Sequence, residues 1–272
     1  MTEAFSLEPE IPAPPLPGTV VVREDIDAVV DAAAADLMFQ AVACVRAFGD
    51  FHIALSGGST PAPLYRRLMY DPNFRDLPWK RTHLWIVDER RVPFGDEKSN
   101  FGMIREWIVE HSDIPADQVH PMTPYTRDEE TGELRQAAHP DVSYEAELRE
   151  HLGWRPKGHD RLDYVLLGMG DDGHTASLFP NSRGLHVRDR LAVLNDGEGV
   201  VPPPRITMTF DLINAARLIA VMVTGERKRS MLDRVARGDG SVSELPILGV
   251  RPLGGEMRWY LDRDACPLPS GA

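Results

Sequence analysis

Short apolar runs alternate along the chain with longer segments whose apolar residues recur at helical spacing. Continuous apolar runs are typical of strands that are buried on both faces of a parallel sheet. They predict strands at Val20–Val22, His52–Leu55, Leu84–Val87, Tyr164–Leu167, Leu191–Leu194, Arg205–Thr209, Leu218–Val223 and Glu256–Leu261.

Helix signals occupy the segments between these runs. Apolar spacing over residues 26–45 predicts a helix that ends at Gly49. Thr60 as the N-cap, with Pro61 in the first turn, predicts a helix that reaches Met69. The remaining predicted helices are one capped by Ser99 that runs through Val109, one over 142–152 and one from the turn at 224–228 to Arg237.

Strands that alternate with helices predict an α/β fold, with a mostly parallel twisted sheet, helices on both faces and a Rossmann-like arrangement. We expect one domain over residues 19–272. A proline-rich, flexible lead over residues 1–18 precedes it. Residues 123–141 are polar and mix both charge signs, so we interpret them as a surface excursion.

Composition narrows the class of protein. The net charge of −12 disfavours a nonspecific nucleic-acid or anionic-membrane surface, so an anionic ligand requires a local cluster of basic groups. No run approaches the roughly 18 apolar residues of a membrane span, and the acidic N-terminus does not resemble a secretory signal. Cys44 and Cys266 predict one core thiol and one tail thiol in a reducing compartment, and we expect a cytoplasmic protein.

A glycine-rich turn after the predicted strand at 52–55 is a candidate anion site. A strand-to-helix turn offers free backbone N–H groups, the positive end of a helix dipole and, here, hydroxyl groups. Arg205 and Lys228 also lie at ends of predicted strands, where they supply the positive charge that the chain otherwise lacks. The turn consists of Ser56, Gly57, Gly58, Ser59 and Thr60.

The segment Gly168–Pro180 carries the best acid/base candidate. It places His174 beside Asp172 in a glycine turn that includes Gly170, at the carboxyl end of a predicted strand, where open α/β sheets bind ligands. Aspartate can fix the imidazole tautomer and stabilise the imidazolium formed on proton uptake.

A second strand end offers Asp88 and Arg90, which can orient a ligand and bind an anion. No spacing of histidine, cysteine or carboxylate indicates a zinc or iron site, and we expect no metal. The other histidines are interpreted as surface or packing residues, among them His52, His83, His111, His120 and His186.

In combination, these motifs resemble those of the 6-phosphogluconolactonases. The resemblance covers residues 55–228 in the family's order, and also Trp259–Asp262. It implies hydrolysis of 6-phospho-D-glucono-1,5-lactone without metal or cofactor, on the fold shared with glucosamine-6-phosphate deaminases. Its motifs are Leu55–Pro61, Val87–Arg90 with Ser99-Asn100, Gly168–Pro180, Arg205–Met208 and Thr224–Lys228.

Two alternatives stay open. Glucosamine-6-phosphate deaminase has a similar glycine–histidine core, but its motif continues to a glutamate where this chain has Ser177–Pro180, and Arg90 stands where an aromatic residue is favoured. A non-catalytic sugar-phosphate sensor is the second alternative. A nicotinamide-dependent dehydrogenase is disfavoured because the glycine fingerprint is absent.

The residues allow a mechanistic hypothesis. His174, oriented by Asp172, takes a proton from the water that attacks the lactone carbonyl and then protonates the leaving ring oxygen. Amide N–H groups near Gly170–Gly173, or Arg90, stabilise the oxyanion. The phosphate is held by Ser56, Ser59, Thr60, Arg205 and Lys228.

Overall fold

A computed structural model describes residues 12–128, 130–153, 155, 160–197, 199–201 and 204–267. Its central sheet has seven strands, and every neighbouring pair is parallel. The mostly parallel α/β architecture predicted from the alternation is therefore confirmed. In spatial order the strands are β1 (Thr19–Arg23), β12 (Glu256–Asp262), β11 (Leu218–Val223), β8 (Tyr164–Gly168), β2 (Phe51–Leu55), β3 (Thr82–Ile86) and β5 (Val119–His120).

Six α-helices connect or cover these strands in the described part of the chain. Each predicted helix is present, and their ends differ from prediction by a few residues. The helices are α1 (Ile26–Phe48), α2 (Ala62–Tyr70), α3 (Asn100–Trp107), α4 (Pro140–Gly153), α5 (Phe210–Ala215) and α6 (Arg229–Arg237).

The helix caps follow local hydrogen bonding. Ser99 accepts a bond from the amide of Gly102, as predicted, and Gly49 ends α1 in the left-handed conformation, with φ of 91°. The prediction that Thr60 caps α2 is wrong. Pro61 occupies the cap position without a side-chain bond, because the helix begins one residue later than expected.

A small antiparallel sheet was not predicted as a separate unit. Its order is β4 (Asp88–Arg90), β10 (Arg205–Met208), β9 (Ala192–Asn195). The run at 84–87 was predicted as one strand, but the chain leaves the parallel sheet after Ile86 and re-pairs at Asp88. This change of sheet brings two strand-end arginines side by side.

Within residues 123–141 the chain forms a second hairpin, β6 (Tyr125–Arg127) with β7 (Leu134–Gln136). Its strands are largely exposed, in agreement with the predicted surface excursion.

The apolar character of α1 exceeds the sequence-based expectation. By length and composition this 23-residue helix, with an 18-residue window of mean hydropathy 1.7, is apolar enough to cross a membrane, which the expectation of no spanning run did not anticipate because Asp27, Asp31 and Asp36 interrupt its apolar residues. One such helix is weak evidence, because core helices pass the same test. Here one stripe of α1 packs into the core: Val29, Val30, Ala33, Ala34, Leu37, Ala41 and Cys44.

The end of the N-terminal lead is anchored. Leu16 is buried in the core, and the indole N–H of Trp259 donates to the carbonyl of Pro17 at 2.9 Å. The last residues of the predicted lead therefore pack against the fold, its residues 1–11 lie outside the described residues, and its flexibility stays a prediction. The extent of one domain over 19–272 stays a prediction.

Candidate active site

A cleft of about 500 Å³ opens where β2 and β8 end. A volume of this size suits a small polar ligand. All twelve site residues predicted from the sequence line it. They are Ser56, Gly57, Gly58, Ser59, Thr60, Asp88, Arg90, Gly170, Asp172, His174, Arg205 and Lys228.

His174 and Asp172 form a tight pair in the turn after β8. The imidazole Nδ1 lies 2.5 Å from Oδ1 of Asp172, and that same oxygen accepts a bond from the His174 amide at 3.1 Å. Burial raises the pKa of Asp172, but hydrogen bonding to His174 and the charge of His174 outweigh it and hold the pKa below its usual value. An ionised Asp172 keeps the proton on Nδ1, which leaves the Nε2 lone pair of His174 for a ligand proton.

Gly170 makes this close approach possible. A Cβ at this position would lie 2.1 Å from Nδ1 of His174 and 2.6 Å from Oδ1 of Asp172. The turn closes through bonds from the Gly170 amide to the His174 carbonyl and from the Gly173 amide to the Gly170 carbonyl. These two amides therefore have acceptors within the turn.

Two arginines meet across the small antiparallel sheet. Arg90 and Arg205 are directly paired in register between β4 and β10. Like charges at such cross-strand positions repel one another. Burial and the charge of Arg90 lower the pKa of Arg205 from its ordinary value. Nε of Arg90 is buried without a hydrogen-bond partner among the described residues, although its Nη1 donates to the carbonyl of Lys98 at 2.6 Å. An anion bound between Arg90 and Arg205 would offset their repulsion and could accept a hydrogen bond from Nε of Arg90.

Lys228 adds a third cation from the turn after β11. Its ammonium forms an ion pair with Asp171, and its hydrogen bond to Asp171 lowers the pKa of that carboxyl. Three cations therefore line one cleft of a chain with a net charge of −12.

Asp88 and Glu89 follow β3 but have different surroundings. Asp88 lines the cleft, where the buried hydroxyl of Ser177 donates to it at 2.6 Å. Glu89 is fully buried and turned toward the start of α3, where it accepts bonds from the amides of Asn100 and Phe101. Asp88 thus faces the cleft, whereas Glu89 anchors a helix.

The glycine-rich turn enters α2 beside the cleft. The hydroxyl of Ser56 donates to the carbonyl of Leu166 at 2.7 Å, which leaves Ser59 and Thr60 as the hydroxyls better placed to donate to an anion. Gly57 lies against Asn100, where a Cβ would fall 1.9 Å from the amide oxygen.

Sequence reasoning missed several cleft residues. The ring of Phe179 lies 5.1 Å from the His174 ring and 6.0 Å from the guanidinium carbon of Arg205, so it packs against both residues. Asp171 was passed over in favour of its neighbour Asp172. Both stand within a motif that was recognised, but residue type alone does not show which side chains face inward. The cleft residues missed in this way are Asn100, Asp171, Ser177 and Phe179.

Comparison with known proteins shows which family the chain resembles. Residues 24–259 match the family described as glucosamine-6-phosphate isomerases/6-phosphogluconolactonase. A 6-phosphogluconolactonase of Nostoc is 35% identical over 91% of this chain and 96% of its own length. The human GDH/6PGL endoplasmic bifunctional protein is 39% identical over 85% of this chain, which spans 28% of that longer protein.

The solved structures that resemble this fold include members of the same family. A crystal structure of 6-phosphogluconolactonase from Thermotoga maritima superposes with a TM-score of 0.72 at 26% identity, covering 90% of this chain and 99% of the other. The family match and the Nostoc relative together identify the chain as a member of the glucosamine-6-phosphate isomerase/6-phosphogluconolactonase family.

Proposed function

We propose that this chain hydrolyses 6-phospho-D-glucono-1,5-lactone to 6-phospho-D-gluconate, a reaction of the oxidative pentose phosphate pathway. The observation that carries the proposal is the pairing of His174 with Asp172 in the same cleft as Arg90, Arg205 and Lys228. This arrangement sets a proton acceptor opposite a site for a phosphorylated, anionic substrate. The names of the Nostoc and Thermotoga relatives support the same activity.

The phosphate is held by the cationic side of the cleft. Lys228 and Arg205 supply the charge, and the hydroxyls of Ser59 and Thr60 add donors at the start of α2. Phosphate binding would relieve the repulsion between Arg205 and Arg90. Anchoring the phosphate fixes the lactone ring relative to His174.

The chemistry is acid–base catalysis of an acyl transfer to water. Nε2 of His174 takes a proton as the water oxygen forms a bond to the lactone carbonyl carbon, which gives a tetrahedral oxyanion. The imidazolium formed is stabilised by Asp172. When the bond from this carbon to the ring oxygen breaks, the ring oxygen takes the proton back from His174. The resulting acid then ionises to the carboxylate.

Arg90 is the better oxyanion donor of the two suggested by the sequence. The amides of Gly170 and Gly173 already have acceptors within their own turn. Nε of Arg90 is buried without a described partner at the cleft. A charged donor there stabilises the oxyanion first and the product carboxylate afterwards.

Phe179 favours lactone hydrolysis over deamination of an amino sugar. Its apolar ring packs beside His174, in the segment where the deaminase motif carries a glutamate for ring opening. With Phe179 in this segment, the chain keeps His174 as the proton acceptor but lacks the glutamate of the deaminase motif.

The test is a lactonase assay on freshly made 6-phosphogluconolactone, at controlled pH and with the spontaneous rate subtracted. We expect His174→Ala to lower kcat by about 10²–10⁴-fold with little change in KM, because general acid–base catalysis contributes that factor. His186→Ala, an exposed histidine outside the cleft, is the matched control. Near-normal turnover by His174→Ala would overturn the general-base role.

Two further measurements separate the alternatives. Ammonia release from glucosamine 6-phosphate would indicate a deaminase. Thermal stabilisation by 6-phosphogluconate without acceleration of lactone loss would indicate a sensor.

We further propose that residues 19–272 form one domain that works in the cytoplasm. Both cysteines are free and buried, and burial raises the pKa of Cys44 to about 12 and of Cys266 to about 11. Such thiols are unreactive and suit a reducing compartment. The expected tail position of Cys266 is corrected by its burial.

A further inference from the structure

A second cluster of titratable groups lies away from the cleft, near the amino ends of the strands. His52 and His83 are the second residues of β2 and β3, where they are direct neighbours in register. His120 ends β5, and His151 lies in the last turn of α4. None of these histidines lines the cleft or takes part in the chemistry proposed above.

Three of the imidazoles have the spacing of metal ligands. Ring nitrogens of His83, His120 and His151 all lie within 4.8 Å of one another, and Nδ1 of His83 is 2.9 Å from Nε2 of His120. A tetrahedral zinc ion with bonds of about 2.0–2.1 Å needs ligand nitrogens roughly 3.4 Å apart. Side-chain rotations within the cluster would provide that separation.

Glu147 prepares His120 for such a role. Its Oε1 lies 2.6 Å from Nδ1 of His120, so this nitrogen carries the proton and Nε2 presents its lone pair toward His83. A carboxylate that fixes the tautomer of a histidine ligand is common in zinc sites. Glu147 and His151 are one turn apart on α4, so a single helix face supplies both.

The cluster is reachable from solvent. His120 is buried, whereas His83 and His151 are partly exposed, so an ion can enter from their side.

We propose that His83, His120 and His151 bind a divalent transition-metal ion of the zinc class, with Glu147 as the positioning residue for His120. The ion would link β3, β5 and α4 and leave a coordination position for water. None of the three histidines lines the cleft, so the ion would be independent of the proposed lactonase chemistry.

The adjacent group of Asp50, His52 and His83 is a weaker candidate. The indole N–H of Trp85 already donates to Nδ1 of His52 at 3.1 Å. The guanidinium of Arg155 lies 3.1 Å from Asp50, where its positive charge opposes a cation. These contacts favour the triad that contains His120 and His151.

This site departs from the expectation of no metal. That expectation rested on spacing in sequence, and His83 and His120 are 37 positions apart, on different strands. The parallel pairing of β3 with β5 and the packing of α4 would have to be known before the cluster could be seen.

The test uses the full chain, stripped of metal with a chelator and titrated with Co²⁺ and then Zn²⁺. We expect one Co²⁺ per chain with the intense visible bands of a tetrahedral site, displaced by one Zn²⁺. The double substitution His83→Ala/His151→Ala should weaken Zn²⁺ binding at least 100-fold. Glu147→Gln should weaken it about 10–100-fold, because the orientation of His120 is lost.

Two controls locate the ion. His111→Ala, an exposed histidine outside the cluster, should bind Zn²⁺ like the parent chain. His174→Ala should do the same, since the ion is not in the cleft. Weak, non-stoichiometric binding by the parent chain, or loss of binding only in His174→Ala, would overturn the proposal.

A measurement on the unaltered chain guards against variants that fail to fold. X-ray absorption of the Zn²⁺-loaded protein should show three imidazole nitrogens at about 2.0–2.1 Å. A first shell with fewer than three imidazoles would refute the site.

Discussion

Replacing Glu89 with Gln should change how stability depends on pH. Glu89 is fully buried in β4, where it faces the start of α3, and burial raises its pKa from the ordinary 4.5 to about 7. Hydrogen bonds from the amides of Phe101, Asn100 and Arg90 and from the hydroxyl of Ser99 act in the opposite direction but do not cancel it. The folded chain therefore holds this proton more tightly than the unfolded chain.

The sign follows from this difference in pKa. Between pH 4.5 and 7 the folded state binds more protons at Glu89 than the unfolded state, so its contribution is fully present below pH 4.5 and is lost as the pH rises through 7. Each pKa unit corresponds to about 1.4 kcal/mol, so the whole change is about 3 kcal/mol.

Urea unfolding at a series of pH values provides the assay. The difference in free energy of unfolding between the parent chain and Glu89→Gln should change by about 3 kcal/mol from pH 4.5 to above pH 7, to the disadvantage of the parent chain, because Gln is neutral throughout. Glu97→Gln, an exposed residue in the following loop, is the matched control and should leave the profile unchanged. Parallel profiles for the parent chain and Glu89→Gln would refute the reasoning.

Other predictions concern the cleft and the chain's anchor. Gly170→Ala should lower kcat at least tenfold with little change in KM, because its Cβ would displace His174; an unchanged kcat would contradict the close approach of His174 to this glycine. Lys228→Ala should raise KM at least tenfold and leave kcat nearly unchanged, and an unaltered KM would move the phosphate site elsewhere. Trp259→Phe should lower the free energy of unfolding by about 1 kcal/mol, measured in urea, since the bond to Pro17 is lost.

Most of the strands could be predicted from the sequence, because apolar runs such as Leu218–Val223 report burial on both faces directly. The contact between His174 and Asp172 could be predicted as well, because the two residues lie two positions apart in one turn. Pairing between distant segments was not visible. The register that sets Arg90 against Arg205 depends on the chain leaving the parallel sheet at Val87, and no local pattern marks that change.

Because strand pairing is not visible in the sequence, the surroundings of several polar residues could not be predicted. Glu89 and Asp88 look equivalent in sequence, but alternation along β4 sends one toward α3 and the other into the cleft. His83 and His120 have no sequence motif between them, and only strand pairing brings their rings together.

The paired arginines Arg90 on β4 and Arg205 on β10 link phosphate binding to the stability of the fold. The folded chain pairs two arginines directly across the sheet, one of them 8% exposed, and the neighbouring carboxylates of Asp88 and Glu89 offset part of their mutual repulsion. A bound phosphate removes that repulsion, so part of the binding free energy is a gain in fold stability that appears only with the ligand. A variant that neutralises Arg205 would therefore lose affinity for the phosphate and gain less thermal stability from it, while the ligand-free chain would lose both a repulsive contact and the hydrogen bond to the carbonyl of Val201.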